Sequence, residues 1–144
     1  MTRNPDCVFC KIVAAELPAS IVYEDESLIA FLDINPLADG HLLILPRDHH
    51  VRLTDLPPAL CGCVFAAMPM LARALMSVTH AEGLNLLQSN GRAAGQVVDH
   101  VHFHLIPRNP GDELGFRWNT KKYEGHRAEE IAAGLQVALS RRGA

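Results

Sequence analysis

The sequence lacks any apolar run long enough to cross a bilayer. Its longest runs, such as Leu42–Leu45 and Val64–Met68, fall far short of the roughly 20 residues a spanning helix needs. No membrane partner is expected on that ground. The opening residues Met1-Thr2-Arg3-Asn4-Pro5-Asp6 lack the apolar core of an export signal, so the expected compartment is the cytoplasm. An excess of one charge is also missing. With 13 Lys and Arg against 16 Asp and Glu, the net charge of -3 argues against a protein that coats nucleic acid. One small anion in a local pocket stays compatible with it. There is no internal repeat, linker or low-complexity tract. Disorder is excluded by 49% apolar content with so little net charge. What remains is one soluble domain of 144 residues, large enough to build a core without covalent staples.

Two features stand out against that background. Eight histidines are present, three of them within five positions, and the four cysteines fall as Cys7-Val-Phe-Cys10 and Cys61-Gly-Cys63. In a reducing compartment a Cys-x-x-Cys pair points to metal or redox chemistry rather than to a disulfide. Its spacing suits zinc, with two free thiols as the plainer reading. Cys61 and Cys63 fall in a helical segment and read as small packing residues.

Ile21–Glu24 and Leu28–Leu32 read as short strands, His41–Leu45 as a strongly apolar strand stopped by Pro46, and Leu84–Gln88 as a further strand. Apolar residues at Leu60, Val64, Met68, Leu71, Leu75 and Val78 predict one long helix. Thr54 or Asp55 would cap it, and Pro69 would kink it without ending it. Asn90–Gln96 is a glycine-bearing loop, Val97–Pro107 reads as the longest strand, and Arg127–Leu139 as a final helix. Strands gathered around one helix, with no regular alternation, predict an α+β fold with a mainly antiparallel sheet.

His100-Val101-His102-Phe103-His104 sets three imidazoles at period two, which places them on one strand face. Val101, Phe103 and Leu105 would face the core. Two chemistries suit three such rings. They could hold a catalytic zinc. Alternatively one ring attacks a phosphate while its neighbours manage charge and protons. Alternate strand positions lie roughly 6.6–7 Å apart, which makes a three-ring tripod on one ion awkward and favours the phosphate.

With its neighbours, this segment resembles the histidine triad (HIT) family. His100 to Ile106 carries the alternating motif. Gly95-Gln96 and Asn90 precede it, Phe31-Leu32-Asp33-Ile34 lies upstream, and Gly40-His41 opens a strand ending in Leu45-Pro46-Arg47. The likeness spans about Cys7 to Arg108 and is strongest to the bacterial, Hint-like branch. It implies a HIT-like α+β fold: about five antiparallel strands, one long helix and a short C-terminal helix. A single domain, 1–144, would have its core at 7–108 and a tail at 109–144. It also implies a hydrolase or transferase acting at the α-phosphate of purine nucleoside phosphoramidates or (di)nucleotides. His102 would be the nucleophile, forming a nucleotidyl–histidine intermediate. His104, His100, His41 and Gln96 would complete the catalytic set. Phe9, Ile12, Phe31, Ile34 and Leu43 would line the base pocket, Asp33 would take the ribose hydroxyls, and Asn90 would support the phosphate loop. Val97 stands where the Hint-like branch commonly has Ser or Thr, so one phosphate donor is missing.

The resemblance also implies a structural zinc on Cys7, Cys10, His49 and His100, with His50 competing for the place of His49, and no catalytic metal. A homodimer is implied as well. Arg117, Trp118, Lys121 and Lys122 of the tail would reach the partner's pocket or belong to a poorly ordered terminus. Two other readings stand beside the nucleotide hydrolase: a nucleotide-binding adaptor with incidental hydrolysis, and a metal-dependent hydrolase with zinc on the triad.

Overall fold

The computed structural model describes residues 2–115 and 119–141, with a first compact unit ending at Leu114 and a second beginning at Gly115. The first unit runs α1 (Val8–Val13), β1 (Ile21–Glu24), β2 (Leu28–Leu32), β3 (Leu42–Pro46), α2 (Pro58–Thr79), β4 (Gly83–Leu87) and β5 (Phe103–Arg108). The strands form one antiparallel five-stranded sheet in the order β1-β2-β3-β5-β4. This is the expected α+β architecture, with α1 as a short helix the sequence did not signal. The second unit holds α3 (Arg127–Ser140), which carries Glu129 and Glu130 in its first turn where the helix dipole favours them. Arg117 and Trp118, expected to reach a partner, lie outside the described residues.

The central strands are buried on both faces, which explains why they read as unbroken apolar runs rather than alternating ones. Leu28, Ala30, Leu42, Ile44, Phe103 and Leu105 pack on one side against Val64, Met68, Leu71 and Leu75 of α2. Ile29, Phe31, Leu43 and Leu45 pack on the other against Cys7, Phe9, Cys10 and Val13. The expectation that no segment has the length and composition of a membrane span is corrected by α2, whose apolar stretch is interrupted only by small residues, Pro69 and Arg73. Its four core residues, packed on the sheet, make it the core helix. Cys61 is half-buried on α2, whereas Cys63 is exposed and has no packing role.

Two local expectations are corrected. Thr54 and Asp55 do not cap α2. They form a 3-10 turn, and the helix starts at Pro58 behind an extended Leu56, the conformation a following proline imposes. Pro58 fits the first turn because the N–H it lacks would have no helical partner. The helix continues through Pro69. The long strand from Val97 is also shorter than its pattern. The β3–β5 ladder pairs Ile44 with Phe103 and goes no further. Pro46, at the end of β3, has no N–H to extend the ladder. The chain from Val98 to His100 bends, and Val101 bonds instead to the His50 carbonyl. Alternation survives, with Val101, Phe103 and Leu105 facing α2. Of the three histidines, only His104 lies in β5.

Gly40, before β3, takes a φ of +88° close to the end of α2. A Cβ there would lie 2.7 Å from Thr79 Cγ2 and 2.9 Å from Leu75 Cδ1. The β2–β3 connection rests on the helix only because this residue has no side chain.

Candidate active site and metal centre

On the sheet face away from α2, α1 covers one end and leaves a cavity of about 480 Å³ beside it. Phe9, Ile12, Phe31, Ile34 and Leu43 line it with apolar surface, and Asp33, Val97, His102 and His104 of the expected set line it as well. Leu17, Pro18, Ala19, Asn35 and Val98 line it too. They were not singled out, because a Leu-Pro-Ala turn carries no distinctive signal. A larger groove of about 760 Å³ by the end of α2 is lined by neither histidine nor cysteine.

Backbone groups fix the tautomer of each ring, because a carbonyl only accepts and an amide N–H only donates. His102 Nδ1–H donates to the His100 carbonyl at 2.6 Å, which leaves Nε2 with a lone pair. The Leu37 N–H donates to His41 Nδ1 at 3.1 Å, so neutral His41 carries its proton on Nε2. That Nε2–H donates to His104 Nδ1 at 2.8 Å, and His104 therefore carries its own proton on Nε2. The outcome is one nitrogen with an open lone pair on His102 and one N–H donor on His104.

Burial holds these rings neutral. It pushes His104 down to about 4, with the neighbouring His102 and His41 adding to the shift. It lowers His102 against the opposing pull of the His100 carbonyl and Asp33. His41 is lowered by burial as well, and Asp33 works against it. Asp33 serves two ends. One carboxylate oxygen accepts the Asn35 N–H at 2.8 Å and closes the turn, while the other lies 3.8 Å from His41 Nε2.

Gln96 and Asn90 do not line the cavity. Gln96 is the residue expected to reach the scissile bond, but its amide is used up by backbone groups of its own loop and of Val51. Its oxygen accepts the Gly91 N–H at 2.7 Å, and its nitrogen donates to the carbonyls of Val51 and Val98 at 2.7 and 3.1 Å. Asn90 accepts the Leu53 N–H at 2.8 Å, which ties the same loop to the turn before α2. Both side chains shape the loop carrying Val97.

His100 turns away from the cavity. Its Nε2–H donates to the Pro46 carbonyl at 2.9 Å, which leaves Nδ1 as a ligand atom. That atom lies 3.6 Å from Cys7 Sγ and 3.6 Å from Cys10 Sγ. His49 Nδ1 lies 3.4 Å from Cys10 Sγ. The four ligand atoms fall within 4.8 Å of one another. A tetrahedral zinc with S at about 2.3 Å and N at about 2.0–2.1 Å spaces unlike ligands about 3.6 Å apart, so the group fits that ion. Burial raises the Cys7 thiol, against the N–H groups of Cys10 and Phe9, so its ionised form calls for a cation. Burial also pushes His100 down to about 4, into its ligand form. His49, not His50, belongs to the group. Among the described residues no cluster joins His100, His102 and His104, so the reading that put one ion on all three rings loses its geometry.

A HIT domain is matched over residues 14–111. The chain is 40% identical over 125 residues to an adenylylsulfatase, HINT3, of Arabidopsis thaliana, covering 87% of this chain and 62% of that one. The chain thus spans less than two thirds of that plant protein. It is 39% identical over 146 residues to an adenosine 5'-monophosphoramidase, HNT1, of Candida albicans, covering 98% and 96%. Among solved structures, a Streptococcus mutans protein superposes with a TM-score of 0.90 at 40% identity, covering 94% of this chain and 87% of that one. A zinc-bound histidine triad family protein of Mycobacterium smegmatis does so with a TM-score of 0.73 at 41% identity, covering 92% and 97%.

Proposed function

Because the chain belongs to the HIT domain family, we propose that it hydrolyses purine nucleoside phosphoramidates or related nucleotides at the α-phosphate, with His102 as the nucleophile. The observation that carries this reading is the lone pair of His102 Nε2, set by the 2.6 Å bond from Nδ1–H to the His100 carbonyl. A neutral imidazole is a competent nucleophile near pH 7. The relatives named adenylylsulfatase and adenosine 5'-monophosphoramidase support a nucleotide substrate. The base would lie among Phe9, Ile12, Phe31, Ile34 and Leu43, and the ribose hydroxyls would meet the second carboxylate oxygen of Asp33.

His104 Nε2–H would donate to the charge that develops on the phosphoryl oxygens. It works as a fixed donor rather than a shuttle. Its Nδ1 accepts from His41 Nε2–H, and His41 Nδ1 accepts from the Leu37 N–H, which donates a hydrogen bond without ionising. The proton the leaving group needs therefore comes from water and is returned when the intermediate is hydrolysed.

Cys7, Cys10, His49 and His100 would hold a structural zinc, which supplies a cross-link between the N-terminal segment and the chain before β5. A homodimer accompanies this reading. β4 is an outer strand of the sheet, with Leu86 and Leu87 exposed, and α2 leaves Phe65, Met70 and Val78 exposed. A cytoplasmic setting suits four unpaired thiols.

The test is mass spectrometry of the protein after a brief pulse with an adenosine phosphoramidate. A nucleotidyl adduct on His102 is expected, and its absence from a protein that turns the substrate over would refute the assignment. Tight nucleotide binding without turnover would favour the adaptor.

A further inference from the structure

In-line displacement fixes where the leaving group goes. His102 is buried in the cavity, so a group expelled opposite its Nε2 moves outward to the opening. Val97, which lines the cavity outside the residues expected at the base and ribose, stands almost wholly in solvent at 91% exposed. It is aliphatic. Val97 is also held in place, because buried Gln96 beside it is bonded to Gly91, Val51 and Val98.

Charge at this exit is equally one-sided. Among the described residues lining the cavity there is no Lys or Arg, and Asp33 is the one carboxylate. His104 is neutral at pH 7. A sulfate or phosphate leaving group meets no cation among the described lining residues. An apolar leaving group meets aliphatic surface and gains by covering it.

We propose that Val97 sets leaving-group specificity, and that the substrate is a nucleoside 5'-phosphoramidate whose amine carries an apolar body. The inference rests on His102 as nucleophile. As the bond from His102 Nε2 to phosphorus forms, the P–N bond breaks and the nitrogen leaves as the free amine, taking one proton from water. Water then cleaves the N–P bond of the intermediate, frees His102 and returns a proton to solvent.

The test compares kcat/KM for adenosine 5'-phosphoramidate, its N-hexyl derivative and adenylyl sulfate. Wild type, Val97→Thr and Val97→Lys are measured side by side. Val97 is exposed, so these changes leave folding essentially untouched. Wild type is expected to prefer the N-hexyl compound over the unsubstituted one by roughly tenfold, or about 1.4 kcal/mol, with adenylyl sulfate slowest. Val97→Thr should narrow that ratio, and Val97→Lys should raise the relative rate with adenylyl sulfate. Ratios that are the same in all three proteins, or a wild type that prefers adenylyl sulfate, overturn the inference alone. A wild type that hydrolyses none of the three and forms no His102 adduct overturns the proposed function and this inference with it.

Discussion

Replacing His41 tests the chain of imidazoles from end to end. In His41→Leu the N–H that His104 Nδ1 accepts at 2.8 Å is gone. Two costs follow. The Leu37 N–H loses its acceptor, and because that residue is exposed the cost is that of an ordinary hydrogen bond, about 0.5–1.5 kcal/mol of stability. His104 also loses the bond that fixes its tautomer. Its proton can then sit on Nδ1, which turns a lone pair toward an anionic phosphate. Removing one donor from a transition state of this kind lowers kcat by roughly 100- to 1,000-fold, or about 2.7–4 kcal/mol. His41→Gln places an amide N–H near the lost donor and should recover a large part of the rate. Steady-state hydrolysis of a fluorogenic adenosine phosphoramidate gives kcat, and imidazole nitrogen shifts show which atom of His104 carries the proton. A folded His41→Leu protein that keeps both the Nε2–H tautomer and its kcat refutes the reasoning.

Cys7→Ser should lose bound zinc and melt at a lower temperature, while the fraction that stays folded still forms the His102 adduct. An unchanged Tm when a chelator is added to the wild type counts against the metal site. Gly40→Ala combines a positive φ with contacts of 2.7 and 2.9 Å and should cost about 2–4 kcal/mol in urea denaturation. A midpoint equal to that of the wild type would show the loop and helix to be less tightly seated. Acid should destabilise the fold through His104. Its folded value of about 4 lies below the ordinary 6.5, so the unfolded chain takes up the proton first. Stability present above pH 6.5 is then lost as the pH falls toward 4. Urea midpoints at pH 7 and pH 5 check this, and a midpoint that rises on acidification refutes it.

Much of this molecule can be read from residue order, for reasons that differ by element. The runs Leu28–Leu32 and Leu42–Pro46 announce strands because burial on both faces leaves no room for polar residues. Period-two spacing placed Val101, Phe103 and Leu105 together against α2. It misjudged the strand's length, because a ladder needs partners on both chains and Pro46 on the neighbouring strand has no N–H. Most of the cavity lining was legible through likeness to a known family, whereas the part of Gln96 was not. Which polar group a side-chain amide satisfies depends on loop closure, and residue spacing does not record it. The tautomers were hidden for a related reason. They are set by the carbonyl of His100 and the N–H of Leu37, and every residue type offers those same atoms.

His100 joins two parts of the molecule that are usually kept separate. Its ring belongs to the sulfur-rich knot at the N-terminus, and its peptide oxygen holds His102, the proposed nucleophile, two residues on. Loosening that knot, by oxidant or electrophile, would let the attacking nitrogen lose its aim with the nucleotide pocket itself untouched. An inhibitor of this enzyme therefore has a second address, one that owes nothing to the shape of a purine.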